Sequence, residues 1–519
     1  VKVGALIVTI LMLVFLPLAL LFQAEALSSG KHDVLAVLDQ GESGGQKCSV
    51  LRNMNNVLYG ITAEIGTPPQ KFDVVADTGS NQLVIPGSCC RSCLSKHLYK
   101  ANSSSTSFET HKRSSITYGS GSCKGELTHD DVLAAGIQSK NQVMLVMCRQ
   151  SIEGYKNLGM DGIMGMGMPA SAMGTSVDLV GEHDRSFFSQ ANINAFTFCF
   201  NKGAGTNGVL HVHDENETND YTFEDVVGTV HWGVKLKGAS FSSQASGASP
   251  VAVDGVCKNG CAAIVDSGTT LIAGPGGDII KILASLCSSV DGCKKMPVQT
   301  RRTGTGRGDD SWGDDEDDIL ESEGDERRPK MSDPGTMPSM KEQIQAMNFQ
   351  KWMFSCPAEM ATLPNINFEL AGSKVSLPAS IYTMKVNKKE LRESDSDDLF
   401  SKRSLFNYTS LLEGAPSSSS ASDMACLPAF MKMEMKSRTL GPIWILGMPV
   451  FRQYTVMFHR TKSAGKAAVG FKETPAAGCT ACGKSGETLI NVKKAPTHNV
   501  FHPGHVRSAN IPEHEFATI

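Results

Sequence analysis

The chain has almost no excess of charge of either sign: 49 Lys and Arg against 53 Asp and Glu leave a formal net charge of −4 over 519 residues. Without a net basic excess to neutralise phosphates, nucleic acid is not an expected partner. Aromatic residues make up only 7%. Long apolar runs are equally scarce, with one from about Val3 to Phe22 and no second of that length, which excludes a protein that crosses a membrane many times. The 41% hydrophobic content suffices for globular cores, and the length allows two domains.

Against this background one pattern occurs twice. Val74-Val75-Ala76-Asp77-Thr78-Gly79-Ser80 and Ala263-Ile264-Val265-Asp266-Ser267-Gly268-Thr269 each give an apolar run, an Asp, a hydroxyl residue, a Gly and another hydroxyl. The apolar residues have the composition of a buried strand ending at a turn, so each Asp stands where a strand leaves the core. A carboxylate there is costly unless hydrogen-bonded, and Thr78, Gly79 and Ser80, like Ser267, Gly268 and Thr269, offer hydroxyls and open backbone N–H groups. A single Asp-Thr-Gly is an ordinary turn sequence. Two copies behind matching apolar runs point to one site built from two similar halves.

Here the chain resembles the pepsin-like aspartic proteases. Ser115-Ile116-Thr117-Tyr118-Gly119-Ser120-Gly121 is similar to the family's flap hairpin, with Tyr118 as the flap tyrosine and Gly119 and Ser120 at its tip. Asp161-Gly162-Ile163-Met164-Gly165 and Trp444-Ile445-Leu446-Gly447 resemble the segments that pack behind the two Asp loops, and Ile65-Gly66-Thr67-Pro68-Pro69-Gln70 the stretch before the first Asp strand. The likeness spans about residues 55 to 472. It implies a mainly β, bilobal fold with one catalytic Asp from each lobe, Asp77 and Asp266, and no cofactor or metal. It also implies disulfides joining Cys257 to Cys261 and Cys356 to Cys426, and a small bridge among Cys89, Cys90 and Cys93. The expected partners are polypeptides bound as an extended strand to a monomeric enzyme.

Spacing tests the two-lobe organisation. Gly165 follows Asp77 by 88 residues, whereas Gly447 follows Asp266 by 181, an excess of 93. Two stretches of biased composition lie in that interval. The first, about 294–345, is acidic around Asp309–Asp318 and flanked by Arg301-Arg302 and Arg327-Arg328; the second, about 387–422, is rich in Ser and Asp. Neither has the apolar content for a core, and both are expected to be solvated insertions. The expected organisation is an N-terminal lobe over 57–198, a C-terminal lobe over 199–472, and a flexible tail from 473 in which His498, His502 and His505 carry no assigned role.

Lys2, the apolar run and Ala24-Glu25-Ala26 form the pattern of a secretory signal over 1–26, with a retained membrane anchor as the alternative. A short segment over 27–56 stands where the family has an inhibitory propeptide. Fifteen cysteines fit an oxidising compartment, secreted or vacuolar. Connectivity is open from sequence; Cys123 with Cys148 and Cys287 with Cys293 are candidate pairs, and Cys479-Thr480-Ala481-Cys482 is expected to close as a terminal bridge. Asn102, Asn216 and Asn407 are permissible glycosylation acceptors.

Two adjacent carboxyls cannot both ionise cheaply and are expected to share one proton. The ionised member can deprotonate a water while the protonated member polarises the scissile carbonyl, the chemistry of an endopeptidase with an acidic optimum. Two departures stand out. Val84 in Leu83-Val84-Ile85-Pro86 replaces the family's common Trp, and Met448 follows Gly447 where an Asp is common, which is expected to alter a pocket wall. A non-enzymatic peptide-binding module on the same scaffold is the alternative. A glycosidase also needs two carboxylates but not matched loops and a flap.

Overall fold

The computed structural model describes residues 47–288, 354–355, 363–387, 424–463 and 466–482, apart from 55–56, 94, 96, 120, 153–158, 169–185, 204, 214–219, 244–248 and 438. The apolar run, the proposed prosegment up to residue 46, both insertions, Ser120, Cys356, Asn216, Asn407 and the His-containing tail lie outside the described residues. Among the described residues no helix is long and apolar enough to cross a membrane.

The first half is built from β1 (Leu58–Ile65), β2 (Gln70–Asp77), β3 (Leu83–Pro86), β4 (Phe108–Tyr118), β5 (Gly121–Ala134), β6 (Ile137–Gln150) and β7 (Gly162–Gly165). In the second half, β8 (Gly233–Ser242), β9 (Cys261–Val265), β10 (Ile272–Gly274), β11 (Phe430–Lys432) and β12 (Gly441–Leu446) repeat part of the same plan. The first sheet runs β1-β2-β7-β3-β6-β5-β4 and the second contains β8-β9-β12-β10-β11. In both, the Asp strand is antiparallel to the strand before it and parallel to the strand ending in Gly165 or preceding Gly447. That strand is in turn antiparallel to the short strand after the Asp loop.

The apolar runs that end at Asp77 and Asp266 are buried at every position from Val74 to Asp77 and from Cys261 to Val265. Strands covered on both faces have no polar alternation, which is why the sequence shows unbroken Val, Ile and Ala there. Glycines at the crossings are steric requirements. A Cβ on Gly165 would come within 2.4 Å of Asn81 C, and one on Gly447 within 2.2 Å of Leu271 O.

A six-stranded antiparallel platform joins the halves, in the order Thr222–Asp225, Lys466–Glu473, Tyr454–Ser463, Ala195–Phe200, Gly208–His213 and Cys48–Met54. Alternate residues Phe196, Phe198 and Phe200 share one face and meet Phe451 and Phe458 at ring-centroid distances of 5.1 to 5.8 Å. Scarce aromatics are thus concentrated in this layer. Trp232 packs on it, 5.1 Å from Phe458.

The disulfides correct two sequence expectations. Cys148 pairs with Cys89, and Cys123 is a buried free thiol. The reason is a bulge: Lys124 pairs with Arg149 and Gly125 with Met147, so Cys148 is the extra residue and turns away from β5. Burial pushes the Cys123 thiol up to about 12. Cys479 and Cys482 also do not bridge each other; they reach Cys199 and Cys48 on neighbouring platform strands. Residues 474–482 are therefore fastened to the platform rather than being the start of a free tail. Cys90 pairs with Cys93 and Cys257 with Cys261. Cys426 is buried and disulfide-bonded; Cys293 lies outside the described residues.

Candidate active site

The two Asp loops present the same hydrogen-bond pattern. Gly79 N–H donates to Asp77 Oδ1 at 2.9 Å and Ser80 Oγ to Asp77 Oδ2 at 2.6 Å. Gly268 N–H donates to Asp266 Oδ1 at 2.7 Å and Thr269 Oγ1 to Asp266 Oδ2 at 2.6 Å. Each carboxyl thereby has one oxygen held by a hydroxyl and the other by the backbone. Both side chains are fully buried.

The middle hydroxyls tie the loops together. Thr78 N–H donates to Ser267 Oγ at 3.0 Å and Ser267 N–H to Thr78 Oγ1 at 2.9 Å. Each hydroxyl then donates across the boundary, Thr78 Oγ1 to Val265 O at 2.9 Å and Ser267 Oγ to Ala76 O at 2.7 Å. Four hydrogen bonds related by a pseudo-two-fold fix one Asp relative to the other. How close the carboxyls come is visible at Gly268, where a Cβ would lie 2.2 Å from Asp77 Oδ1 and 3.2 Å from Asp266 Oδ1. Only a hydrogen side chain fits between them.

Behind the loops, Met166 N–H donates to the Asp77 carbonyl at 2.6 Å and Asp266 N–H to the Leu446 carbonyl at 3.1 Å. Met448, at the start of the helix Met448–Gln453, is buried and donates its N–H to Thr269 O at 2.8 Å. Its place is thus the support of the second loop.

Tyr118 and Gly121 close the hairpin around a two-residue turn that includes Gly119. Gly121 has φ +147°, and a Cβ there would meet Ser151 O at 2.4 Å. Tyr118 is buried in one apolar cluster with Val75, Val84, Ile116 and Ile163. Val84 therefore fills part of the space behind the hairpin with an aliphatic side chain in place of an indole.

One pair of residues was not legible from the motifs. His231 and Trp232 precede β8 and are both buried. Trp232 Nε1–H donates to the Met166 carbonyl at 2.9 Å, and the Trp232 carbonyl accepts from Val265 N–H at 3.0 Å, one residue before Asp266. The His231 ring lies against the Gly79 carbonyl, and its buried Nε2 has no hydrogen-bond partner among the described residues. Burial pushes the imidazole down to about 4, opposed by the Gly79 carbonyl. The only sequence signal was a rare Trp just ahead of the strand that pairs with the Asp266 strand.

Paired, buried, hydroxyl-supported carboxyls are suited to holding and activating water at a carbonyl. The chain matches the eukaryotic aspartyl protease family over residues 58–394. It is 32% identical to cathepsin D of Gallus gallus over 276 residues, covering 49% of this chain and 66% of that protein. To a renin of Echis ocellatus it is 28% identical over 270 residues, 51% of this chain and 66% of the relative. Aspartic proteinase A1 of Arabidopsis thaliana is 30% identical over 262 residues, 49% of either chain. The matched stretches span just under two thirds of the length of the cathepsin D relatives. With the family match covering more than half of its length, this chain belongs to the eukaryotic aspartyl proteases.

Proposed function

We propose that the chain is an aspartic endopeptidase in which Asp77 and Asp266 hydrolyse peptide bonds with an activated water. The observation that supports this most is the near-symmetric hydrogen bonding of two buried carboxyls that meet across Gly268. At this separation, in a site withdrawn from water, a doubly ionised pair is unfavourable, so the dyad holds one proton. The ionised carboxylate takes a proton from a water between the two groups, and the protonated partner donates to the scissile carbonyl oxygen. Water adds to the carbon, giving a tetrahedral diol. Protonation of the amide nitrogen then breaks the C–N bond and releases two peptides, without an acyl-enzyme. Ser80 and Thr269 hold the outer carboxyl oxygens in plane throughout.

The substrate is a polypeptide in extended conformation beneath the Tyr118 hairpin, whose closure excludes water. The enzyme acts as a monomer in an acidic compartment of the secretory pathway. Five disulfides among the described residues support an oxidising origin.

A broad peptide library digested across about pH 3 to 7 tests this reading. Wild-type protein is expected to cleave with an acidic optimum and to be blocked by a statine-type transition-state mimic, and Asp77→Asn to be inactive. Cleavage that persists in the variant contradicts the mechanism, and cleavage by neither protein favours a binding module.

A further inference from the structure

Beside the hairpin lies a cavity of about 740 Å³ whose charged lining residues are Arg91, Lys124 and Arg149, with no carboxylate among the described residues that line it. None of the three has an ion-pair partner among the described residues. Lys124 and Arg149 stand directly opposite each other on β5 and β6, a like-charge cross-strand pair that opposes folding.

The backbone that carries Arg91 and Arg149 is cross-linked. Cys89 is bridged to Cys148, next to Arg149, and Cys90 to Cys93, closing a short loop around Arg91. Gln150 N–H donates to Ser92 Oγ at 2.9 Å and Gln150 Nε2 to Ser92 O at 3.1 Å, stitching that loop to the end of β6. The cavity reaches the tip of the hairpin, where Ser151 N–H donates to Ser122 O at 2.8 Å and Ser122 N–H to Ser151 Oγ at 3.1 Å. Ser122 is the first residue after Gly121, which closes the hairpin turn. The cleft thus adjoins the tip of the hairpin.

We propose that this cleft binds an acidic side chain of the peptide substrate, several residues from the bond that is cut, through Arg91, Lys124 and Arg149. Guanidinium groups suit a carboxylate because they donate two parallel hydrogen bonds. Two disulfides and the Ser92–Gln150 bonds order the backbone of the site beforehand, so less backbone entropy is lost on binding. The inference rests on the peptidase reading for the identity of the ligand, but not for its chemistry.

The test measures binding without turnover. Full-length Asp77→Asn protein is titrated by fluorescence anisotropy with a labelled peptide bearing one run of Asp and Glu, and with its Asn and Gln counterpart, near neutral pH and at low and high salt. The acidic peptide is expected to bind about tenfold more tightly. That preference is expected to shrink at high salt and in the added double variant Lys124→Gln/Arg149→Gln, whose thermal melt verifies folding. Equal affinities, binding of neither peptide, or a preference unchanged by the double variant overturns the proposal. Cleavage of uncharged peptides by the wild type in that event leaves the peptidase reading intact, whereas charge-dependent binding without any cleavage separates the two in the other direction.

Discussion

Thr78 and Ser267 exchange hydrogen bonds across the boundary between the halves, each backbone N–H donating to the other's side-chain oxygen at 3.0 and 2.9 Å. Each hydroxyl also reaches a carbonyl in the opposite strand, so a single side chain accounts for two of the four ties. Removing one leaves buried donors and acceptors unpaired, at about 1–3 kcal/mol. Thr78→Val is therefore expected to lower the melting temperature and to reduce kcat more than it changes KM, because the carboxyl positions loosen while the peptide cleft stays. Calorimetry and steady-state kinetics on the same preparation check both.

Gly268 separates the carboxyls with no room for a methyl group. For Gly268→Ala the expected outcome is a folded protein with activity reduced by about a hundredfold or more, since a displacement of about 1 Å at reacting groups is enough for that. A near-wild-type rate in this variant would mean that the two carboxyls are not used together.

His231 gives a stability prediction with a definite sign. Its ordinary value of 6.5 falls to about 4 in the folded state, so between those values the unfolded chain binds more protons. Stability from keeping this imidazole neutral is present above about 6.5 and is lost as pH falls toward 4, an effect of about 3 kcal/mol. Chemical denaturation at steps across that window should show stability falling with acidity, and a smaller fall in His231→Phe. Equal slopes for the two proteins would contradict the assignment.

Cys199–Cys479 and Cys48–Cys482 fasten residues 474–482 to two platform strands. Peptide mapping under non-reducing conditions is expected to recover these pairs and Cys89–Cys148, with Cys123 alkylated only after unfolding. Replacing both Cys479 and Cys482 by Ser is expected to destabilise the protein by about 2–5 kcal/mol, read as a drop in melting temperature.

Much of this site was legible because it is local. Asp77, its Gly and its hydroxyl partners lie within four residues of one another, as do those of Asp266, and a strand buried on both faces writes itself as continuous Val, Ile and Ala. The sequence also pointed to the Gly165 and Gly447 segments through their resemblance to the family's segments behind the Asp loops. What it did not reveal depends on contacts between distant residues. Cys148 turns toward Cys89 because of a bulge that no composition signals, and the cysteines at 479 and 482 each find a strand more than 250 residues away. Tyr59-Gly60 and Trp232-Gly233 stand at matching registers to the two Asp strands, but an aromatic followed by Gly is too short a pattern to announce that His231 and Trp232 contact both Asp loops. The cationic cleft likewise gathers Arg91, Lys124 and Arg149 from three separate stretches, and overall net charge conceals it.

The most direct measurement is the turnover of one good peptide substrate, taken from the library, by wild-type, Asp77→Asn and Asp266→Asn proteins of matched thermal stability. Both variants are expected to lose at least about a thousandfold in kcat, because each carboxyl carries a separate proton-transfer role. A variant that keeps more than about a tenth of the wild-type rate would contradict a shared two-carboxyl site.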